Sequence, residues 1–427
     1  MWSSAAQVAL RMETMRKAES GLVSLARRFG ENGSSTTSYR MELFDTKIPA
    51  SVLPFKESCG VSSNSVWNLL GYGSDEPEEE LTMHAIRVTK EDKLATLQQT
   101  DQVPLVIVHG YMNGALYFYR NLASLANYFD SVVSVDLLGW GLSSRPSFDR
   151  LKDDSVETAE AFFVESLESW RKSNNIQKMN LAGHSMGGYL SVAYTEKYPQ
   201  HVDQLLLLSP AGVPDDPPEQ IEARRARFIN STPRRIAYSA FRNLWASGYT
   251  PGSVLRLIPE SQGRRLVEGY VRNRLPVIQD PQEQQILTDY MYTGNILPGS
   301  GEYGLSRLLL PGAIAKQPGL YRIPNLQVKK VSFLYGAFDW MDVNGGLAVQ
   351  ASCAEKNRRG QDTPQVDVYQ VPNAGHLLML ENPSAFNAAV AIAAGRRHPA
   401  TILDPANLPI VPKPKTPYSG NLRVVPA

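Results

Sequence analysis

The chain has 427 residues, and its 43 Lys and Arg residues nearly balance its 42 Asp and Glu residues, for a net charge of +1. This balance excludes a polyanionic partner recognised by overall charge, and the 43% hydrophobic content is typical of a globular protein. The two cysteines, Cys59 and Cys353, are far apart, which excludes a disulfide framework and favours a reducing compartment. Every apolar run is shorter than the roughly 18–20 residues that span a bilayer.

The N-terminal segment begins with a helical pattern and becomes rich in Ser and Gly. Its Arg and Lys residues among small and apolar side chains suggest a transit peptide, whereas Glu13 and Glu19 favour an amphipathic helix packed on the domain. We expect an intracellular protein, cytoplasmic or peripheral on membranes, and mitochondrial targeting is the open alternative.

Apolar segments alternate with helical patterns along most of the chain, which predicts a parallel sheet buried on both faces. The predicted strands are 39–44, 81–89, 104–110, 131–139, 179–183, 202–210, 329–336 and 365–372. The predicted helices are 115–129, 155–173, 188–198, 344–356 and 384–394. Their order indicates an α/β fold in which helices flank a mostly parallel central sheet.

The alternation stops before the last two strands, where helical patterns occur without a clear strand. We therefore predict a core in two parts, 39–213 and 328–397, interrupted by a helical lid over 214–327. An N-terminal helical or flexible segment over 1–38 precedes the core. A Pro-rich tail over 398–427 follows it, with a composition that favours an extended chain without a packed core.

The stretch GHSMG places Ser185 between a predicted strand and a predicted helix. This context is typical of the sharp turn that exposes a nucleophilic serine at the edge of a sheet. Gly183 and Gly187 allow neighbouring backbone to approach, and the N-terminus of the following helix favours developing negative charge. We therefore interpret Ser185 as a nucleophile.

A nucleophilic serine needs a base and an orienting acid, which follow it in the chain order Ser, Asp, His. Among six histidines, His376 is the candidate base because it alone lies in a loop after a late strand. Asp339, three residues after Gly336, is the preferred acid, and Asp342 is the alternative. Whichever aspartate is not the acid is expected to cap a helix.

The backbone N–H groups of Tyr111 and Met186 are the predicted oxyanion donors, from the loop HGYMNG and from the residue after the serine. The sequence carries no metal-ligand spacing, P-loop or dinucleotide fingerprint, so we expect neither a metal nor a cofactor.

From about residue 80 to 395 the sequence resembles the α/β-hydrolase family. The carrying stretches include VHGYMNG, GHSMGGYLSVAYTEKYPQHVDQLLLLSPAGVP and NAGHLLMLENPSAFN, and LWASGYTP and GSGEYGL narrow the match. The subfamily is that of the lipase coactivator of neutral-lipid storage disease, the N-acyl-phospholipid lysophospholipase and the yeast mitochondrial cardiolipin deacylase. The resemblance implies an α/β-hydrolase fold and a carboxylic ester hydrolase that acts on phospholipids.

Two positions test this resemblance. The coactivator has Asn where this chain has Ser185, so the resemblance implies a hydrolase here. The family also has a His-x4-Asp signature linked to lysophosphatidate acyltransferase activity, but this chain has Glu381 five residues after His376. This difference leaves acyl transfer in doubt, and Glu381 is alternatively an acid at the start of the last helix, where it favours the helix dipole.

Residues 221–274 contain eleven Arg and three Glu, a net charge of +8, interleaved with aromatic and aliphatic residues. A basic amphipathic lid suits an anionic lipid, and a solvated charged helix is the alternative. The candidate lipid-binding residues are Arg224, Arg225, Arg227, Arg234, Arg235 and Trp245. We expect a phospholipid hydrolase at a membrane or lipid-droplet surface, with no nucleic-acid partner and protein partners unknown. The alternatives are a lysophosphatidate acyltransferase and a coactivator-like regulator of another lipase.

Overall fold

The computed structural model describes residues 5–31, 38–56, 80–91, 103–215, 248–396 and 422–424, and eight residues between 219 and 245. Its centre is a nine-stranded sheet in the order β1-β2-β4-β3-β5-β6-β9-β10-β11. The strands are β1 Tyr39–Pro49, β2 Glu80–Lys90, β3 Leu105–Val108, β4 Val132–Val135, β5 Met179–His184, β6 Val202–Leu208, β9 Lys330–Gly336, β10 Gln365–Val371 and β11 Leu422–Val424. The β1–β2 and β2–β4 pairs are antiparallel, and all other pairs are parallel.

Strand β3 shows how the sequence builds this sheet. Its four residues are all at most 1% exposed, and they alternate between two hydrophobic clusters, one on each face of the sheet. Val106 and Val108 belong to one cluster, and Leu105 and Ile107 belong to the other. A continuous apolar strand therefore fills two cores, which confirms the predicted parallel sheet with helices on both faces.

Helices flank the sheet on both faces. Outside the insertion between β6 and β9, the helices are α1 Ala5–Glu31, α2 Leu122–Leu125, α3 Val156–Ser173, α4 Met186–Lys197, α10 Val343–Arg358, α11 Leu378–Glu381 and α12 Pro383–Ala393. Ser155 caps α3 by accepting a hydrogen bond from the Thr158 N–H at 3.1 Å.

The prediction of one helix over 115–129 is wrong. That segment forms a 3-10 turn, Ala115–Phe118, followed by the four-residue helix α2. The consecutive aromatic residues Tyr117, Phe118 and Tyr119 have low helix propensity, and all three are fully buried. The helical spacing of its apolar residues does not predict the structure of this segment, because the segment is buried on all sides.

The insertion between β6 and β9 is helical. It contains α5 Pro251–Leu257, α6 Glu260–Arg274, α7 Pro281–Ile296, α8 Gly304–Leu308 and α9 Gly319–Arg322. A small antiparallel ribbon that the sequence did not predict also lies here, formed by β7 Leu309–Leu310 and β8 Ile314–Ala315. The helices α5, α6 and α7 border the candidate site described below.

The N-terminal helix α1 packs against the insertion helix α7 and against one core of the sheet. Its inward side chains Met15, Leu22 and Leu25 are at most 5% exposed and join the hydrophobic cluster that contains Leu287 and Met291 of α7. Among the ranges given above, no helix combines the length and the apolar character needed to cross a bilayer.

The C-terminal strand β11 was not predicted. Leu422–Val424 pair in parallel with Val368, Tyr369 and Gln370 of β10 and extend the sheet by one strand. The sequence does not reveal this strand, because it is short and lies in a Pro-rich region. Its hydrogen bonds come from β10, which is distant in the sequence. The rest of the predicted tail lies outside the described residues.

Candidate active site

Ser185 lies at a sharp turn between β5 and α4. It has φ 55° and ψ −118°, a left-handed conformation that is uncommon for a residue with a side chain. Its N–H donates to the Leu208 carbonyl at 3.0 Å, and its carbonyl accepts from the Ala211 N–H at 3.0 Å. These contacts to the last residue of β6 and to the chain after it hold the strained turn in place.

Two glycines allow this turn to pack tightly. A Cβ atom at Gly187 would lie 2.4 Å from the His109 carbonyl oxygen and 2.5 Å from that of Val108. A Cβ atom at Gly183 would lie 2.4 Å from the Gly187 carbonyl oxygen. All three distances are shorter than any normal contact, so the chain can pack this closely only because neither residue has a side chain.

The structure brings Ser185, His376 and Asp339 together from three separate elements. His376 Nε2 lies 3.1 Å from Ser185 Oγ, and His376 Nδ1 lies 3.2 Å from Asp339 Oδ1. His376 follows β10, and Asp339 follows β9. Since all of these strands run in parallel, their carboxyl ends deliver the three side chains to one edge of the sheet.

The Asp339 side chain is 1% exposed, and both of its carboxylate oxygens accept hydrogen bonds. Oδ1 also accepts from the Met341 N–H at 2.9 Å, and Oδ2 accepts a hydrogen bond from the Ser209 hydroxyl. Burial acts to raise the pKa of Asp339, but the hydrogen bond and charge of His376, with the bonds from Ser209 and Met341, outweigh it and lower the pKa. The acid is therefore held in its ionised form.

Asp342, the alternative acid, has a different place. Its side chain accepts from the Asn344 N–H at 3.0 Å, and it is the N-cap of α10. Asp339, and not Asp342, forms the hydrogen bond with His376.

The loop after β3 lies against the serine. A Cβ atom at Gly110 would lie 3.0 Å from the Ser185 Cβ atom, so the backbone that leads into Tyr111 closely approaches the candidate nucleophile. Met186 is the first residue of α4. Met186 thus follows Ser185 directly, and the loop that carries Tyr111 approaches it, while the role of their N–H groups as oxyanion donors stays a prediction.

Two buried histidines that sequence reasoning left aside support this arrangement. His109 accepts the Leu137 N–H at Nε2 (3.0 Å) and donates from Nδ1 to the Gly110 carbonyl (2.8 Å), which ties the Tyr111 loop to the loop after β4. His184 Nε2 donates to the His376 carbonyl at 2.9 Å. Burial, aided by the charge of His376, lowers the pKa of His184 to about 3, so this imidazole is neutral.

A cavity of about 540 Å³ opens beside Ser185. Its wall is mostly apolar and comes from the insertion helices α5, α6 and α7 and from the loops at the sheet edge. It is lined by Tyr111, Met112, Asn113, His184, Ser185, Pro251, Val254, Leu255, Leu266, Val267, Tyr270, Met291, Asn295, Trp340, His376 and Leu377. The size and character are those of a small-molecule or acyl-chain site.

The rim of this cavity is apolar and exposed. Val254, Leu266, Tyr270 and Trp340 line the cavity and are each 42–61% exposed. The Trp340 ring centroid lies 5.1 Å from that of His376. Sequence reasoning missed Trp340, although its place directly after the candidate acid Asp339 was an available signal.

The predicted lipid-binding residues are only partly visible. Arg224, Arg225, Arg227 and Arg234 lie outside the described residues. Arg235 is helical and exposed, and Trp245 packs against a hydrophobic core; neither lines the cavity.

A buried polar cluster holds the insertion between β6 and β9 together. The Glu302 carboxylate pairs with Arg256 and accepts from Thr250 Oγ1 at 2.5 Å, and the Arg256 and Glu302 side chains are at most 5% exposed. Thr250 and Glu302 belong to LWASGYTP and GSGEYGL, the two stretches that narrow the family resemblance, so those stretches meet in the structure. Within the ranges described, no group of His, Cys, Asp or Glu side chains could hold a metal ion.

Glu381 does not begin the last helix as an acidic residue of its first turn, so that alternative is wrong. It ends the short helix α11, and Asn382 caps α12 by accepting from the Ala385 N–H at 3.2 Å. The Glu381 carboxylate instead binds the Gly375 N–H and, at 2.8 Å, Arg274 Nη1.

Comparison with known proteins matches residues 103–383 to the α/β hydrolase fold family. A probable 1-acylglycerol-3-phosphate O-acyltransferase of Oryza sativa subsp. japonica is 34% identical over 69% of this chain and 68% of its own. A (lyso)-N-acylphosphatidylethanolamine lipase of Mus musculus is 30% identical over 69% of this chain and 79% of its own.

Among solved structures, a naproxen esterase (carboxylesterase NP) from Bacillus subtilis aligns with a TM-score of 0.52 at 15% identity, over 91% of this chain and 98% of its own. At that identity the likeness shows the fold alone. The family match, the sheet order and the two relatives agree, and the chain therefore belongs to the α/β-hydrolase family, in a subfamily with lipid-acting members.

Proposed function

We propose that this chain is a serine hydrolase that cleaves acyl ester bonds of phospholipids or lysophospholipids. The observation that carries the proposal is the hydrogen-bonded series from Ser185 through His376 to Asp339, at the base of an apolar cavity. Each member has the partner that its role requires.

In the first half of the reaction, His376 Nε2 takes the proton of Ser185 Oγ as the oxygen attacks the ester carbonyl carbon. Asp339 accepts the Nδ1–H of His376, which fixes the tautomer and stabilises the imidazolium that forms. The N–H groups of Met186 and Tyr111 stabilise the negative oxygen of the tetrahedral intermediate, each contributing about 3–4 kcal/mol. His376 then protonates the departing alcohol, and an acyl group remains on Ser185.

In the second half, His376 accepts a proton from the water that attacks the acyl-serine, and it then gives this proton to Ser185 Oγ as the fatty acid leaves. Asp339 is ionised throughout because its hydrogen bonds lower its pKa. The apolar wall of the cavity suits an acyl chain. The Mus musculus relative is named as a lipase of (lyso)-N-acylphosphatidylethanolamine, which is a phospholipid.

The same proposal includes work at a membrane surface. The exposed apolar rim supports it, because lipid tails can leave a bilayer and enter the cavity without crossing polar surface. Leu257 and Phe338, 72% and 77% exposed, lie in the segments that form this rim. The basic lid residues would add attraction to anionic lipid.

Acyl transfer is the second candidate, and the relative named as a 1-acylglycerol-3-phosphate O-acyltransferase favours it. The chemistry differs only in the acceptor, since a lysophosphatidate hydroxyl would attack the acyl-serine in place of water. Regulation of another lipase is a third possibility, and it alone would not need the Ser185 hydroxyl.

The test is lipid profiling after incubation of pure protein with mixed phospholipid and lysophospholipid vesicles, with and without added lysophosphatidate. Hydrolysis predicts one free fatty acid for each ester cleaved by wild type, with lysolipid as the second product from a phospholipid or the fully deacylated headgroup from a lysophospholipid, and none of these products from Ser185→Ala. Transfer predicts Ser185-dependent diacyl product that consumes lysophosphatidate. If wild type and Ser185→Ala leave the lipids equally unchanged, both enzymatic candidates fail.

A further inference from the structure

Glu381 holds the loop that carries His376. Its Oε2 atom accepts the N–H of Gly375, the residue directly before His376. A Cβ atom at Gly375 would lie 3.1 Å from that oxygen and 3.2 Å from Arg274 Nη2, so both charged groups press against the loop backbone. The Glu381 side chain is 14% exposed, which strengthens a charge-assisted hydrogen bond.

The histidine is held from two directions. Glu381 binds the N–H before it, and His184 Nε2 binds its own carbonyl at 2.9 Å. The Glu381 carboxylate accepts hydrogen bonds from the Gly375 N–H and from Arg274, and none among the described residues from Ser185 or the His376 ring, so its contact with the candidate base runs through the loop backbone. That makes it a positioning residue.

The other oxygen of Glu381 binds the lid. Oε1 accepts from Arg274 Nη1 at 2.8 Å, and Arg274 is the last residue of α6. The same helix contributes Leu266, Val267 and Tyr270 to the cavity wall. One helix therefore contacts the space for the acyl chain and, at its end, the carboxylate that holds the His376 loop.

We propose that Glu381 positions His376 and that the Arg274–Glu381 ion pair couples this position to the packing of α6 against the bound acyl chain. The inference rests on the proposed function, because it assumes that His376 is the base. A long acyl chain would press on α6, and the ion pair would transmit that packing to the histidine loop. A short ester would not engage α6 and would not benefit from the pair.

Four variants separate these contributions. Glu381→Ala removes both contacts, whereas Glu381→Gln keeps a carbonyl oxygen for the Gly375 N–H and loses the ion pair. Arg274→Met removes the ion pair alone. Arg272→Met is the matched control, because Arg272 also lies on α6 but pairs with Glu268 in an exposed i,i+4 contact at 2.6 Å.

The readouts are kcat and KM for a short and a long acyl ester, and the fluorophosphonate labelling rate, on variants whose folding is verified by circular dichroism. For Glu381→Ala we expect kcat on both esters to fall by about 10²-fold, as for a misplacement of about 1 Å, with little change in KM for the short ester. Glu381→Gln should recover most of the short-ester kcat. Arg274→Met should lower kcat for the long ester only, and Arg272→Met should match wild type.

Positioning is overturned if Glu381→Ala labels and turns over the short ester at the wild-type rate. It is also overturned if Glu381→Gln abolishes acyl transfer and leaves hydrolysis intact, because the carboxylate would then act on the acceptor directly. Equal losses on both esters in Arg274→Met would overturn the coupling. A wild-type protein that does not label at all contradicts the proposed function instead, so the two failures are distinguishable.

Discussion

The Ser209 hydroxyl donates a hydrogen bond to Oδ2 of Asp339, the carboxylate oxygen that does not bind His376. Ser209 follows β6 with φ 45°, so a second strained serine, next to the Ser185 turn, holds the candidate acid. The carboxyl ends of β5, β6, β9 and β10 thus all contribute to one hydrogen-bonded series.

This contact predicts a pH effect. The Ser209 hydrogen bond helps to lower the pKa of Asp339, so Ser209→Ala should raise that pKa. A more basic carboxylate stabilises the imidazolium of His376 more strongly, so the acidic limb of kcat/KM should shift to higher pH. Loss of a bond to a buried carboxylate, worth about 1–3 kcal/mol, should also lower kcat by roughly 10-fold at pH 7. The control is Ser332→Ala, because Ser332 is buried on β9 and its hydroxyl has no partner among the described residues. An unshifted acidic limb in Ser209→Ala would remove Ser209 from the account.

The two aspartates after β9 should respond differently to the same substitution. Asp339→Asn should lower kcat by about 10⁴-fold, because an amide cannot hold the His376 tautomer. Asp342→Asn should leave kcat and stability nearly unchanged, since Asn is as good an N-cap as Asp, whereas Asp342→Ala should cost about 1 kcal/mol of unfolding free energy. Steady-state kinetics and denaturant titrations check both. A large kinetic loss in Asp342→Asn alone would reverse the roles.

The buried His84 should make stability depend on pH. Its Nε2 lies 3.0 Å from Glu19 of α1 and its Nδ1 lies 2.5 Å from Asp45 of β1. Burial acts to lower the pKa of His84, but Glu19, Asp136 and Asp45 outweigh it and raise the pKa to about 9.

A raised folded-state pKa stabilises the protein fully below the unfolded pKa of about 6.5, and this contribution is lost as the pH rises through about 9. The full contribution is on the order of 3 kcal/mol. Urea titrations should therefore give a lower unfolding free energy at pH 9.5 than at pH 6, and Glu19→Gln should reduce the difference. His201→Asn, at a half-buried histidine outside this cluster, is the control. A difference that persists unchanged in Glu19→Gln would contradict this assignment.

The cavity rim should govern binding to vesicles. Leu257→Ser combined with Phe338→Ser removes two exposed apolar side chains that do not line the cavity. We expect weaker vesicle binding, by about 1.5–3 kcal/mol for each side chain that buries fully, with unchanged turnover of a short soluble ester. Leu43→Ser, at an exposed leucine of the edge strand β1, is the matched control. Sedimentation with neutral and anionic vesicles measures the effect, and equal binding by all three proteins would exclude the rim as the docking surface.

Most of the sheet could be predicted because its strands are buried on both faces, which leaves continuous apolar runs such as 104–110 in the sequence. The observed strand is Leu105–Val108, so the ends were less accurate than the centre. Patterns that depend on distant partners were not predictable. The broken helix at 115–129 and the edge strand β11 both depend on packing or pairing with remote segments.

The candidate site divides in the same way. Ser185, His376 and Asp339 could be selected because local context and chain order identify them, and the structure places them in contact. Their catalytic roles stay predictions. Ser209 and Arg274 escaped sequence reasoning because each acts through one contact with a residue more than a hundred positions away. No local motif records such a contact.

The central claim is that Ser185 forms the covalent intermediate, and the most direct test is mass spectrometry of the protein after fluorophosphonate treatment. The account predicts one added phosphonyl group on the peptide that contains Ser185. It also predicts no labelling of Ser185→Ala and slow labelling of Asp339→Asn. Labelling of another residue, or equal labelling of wild type and folded Ser185→Ala, would contradict it.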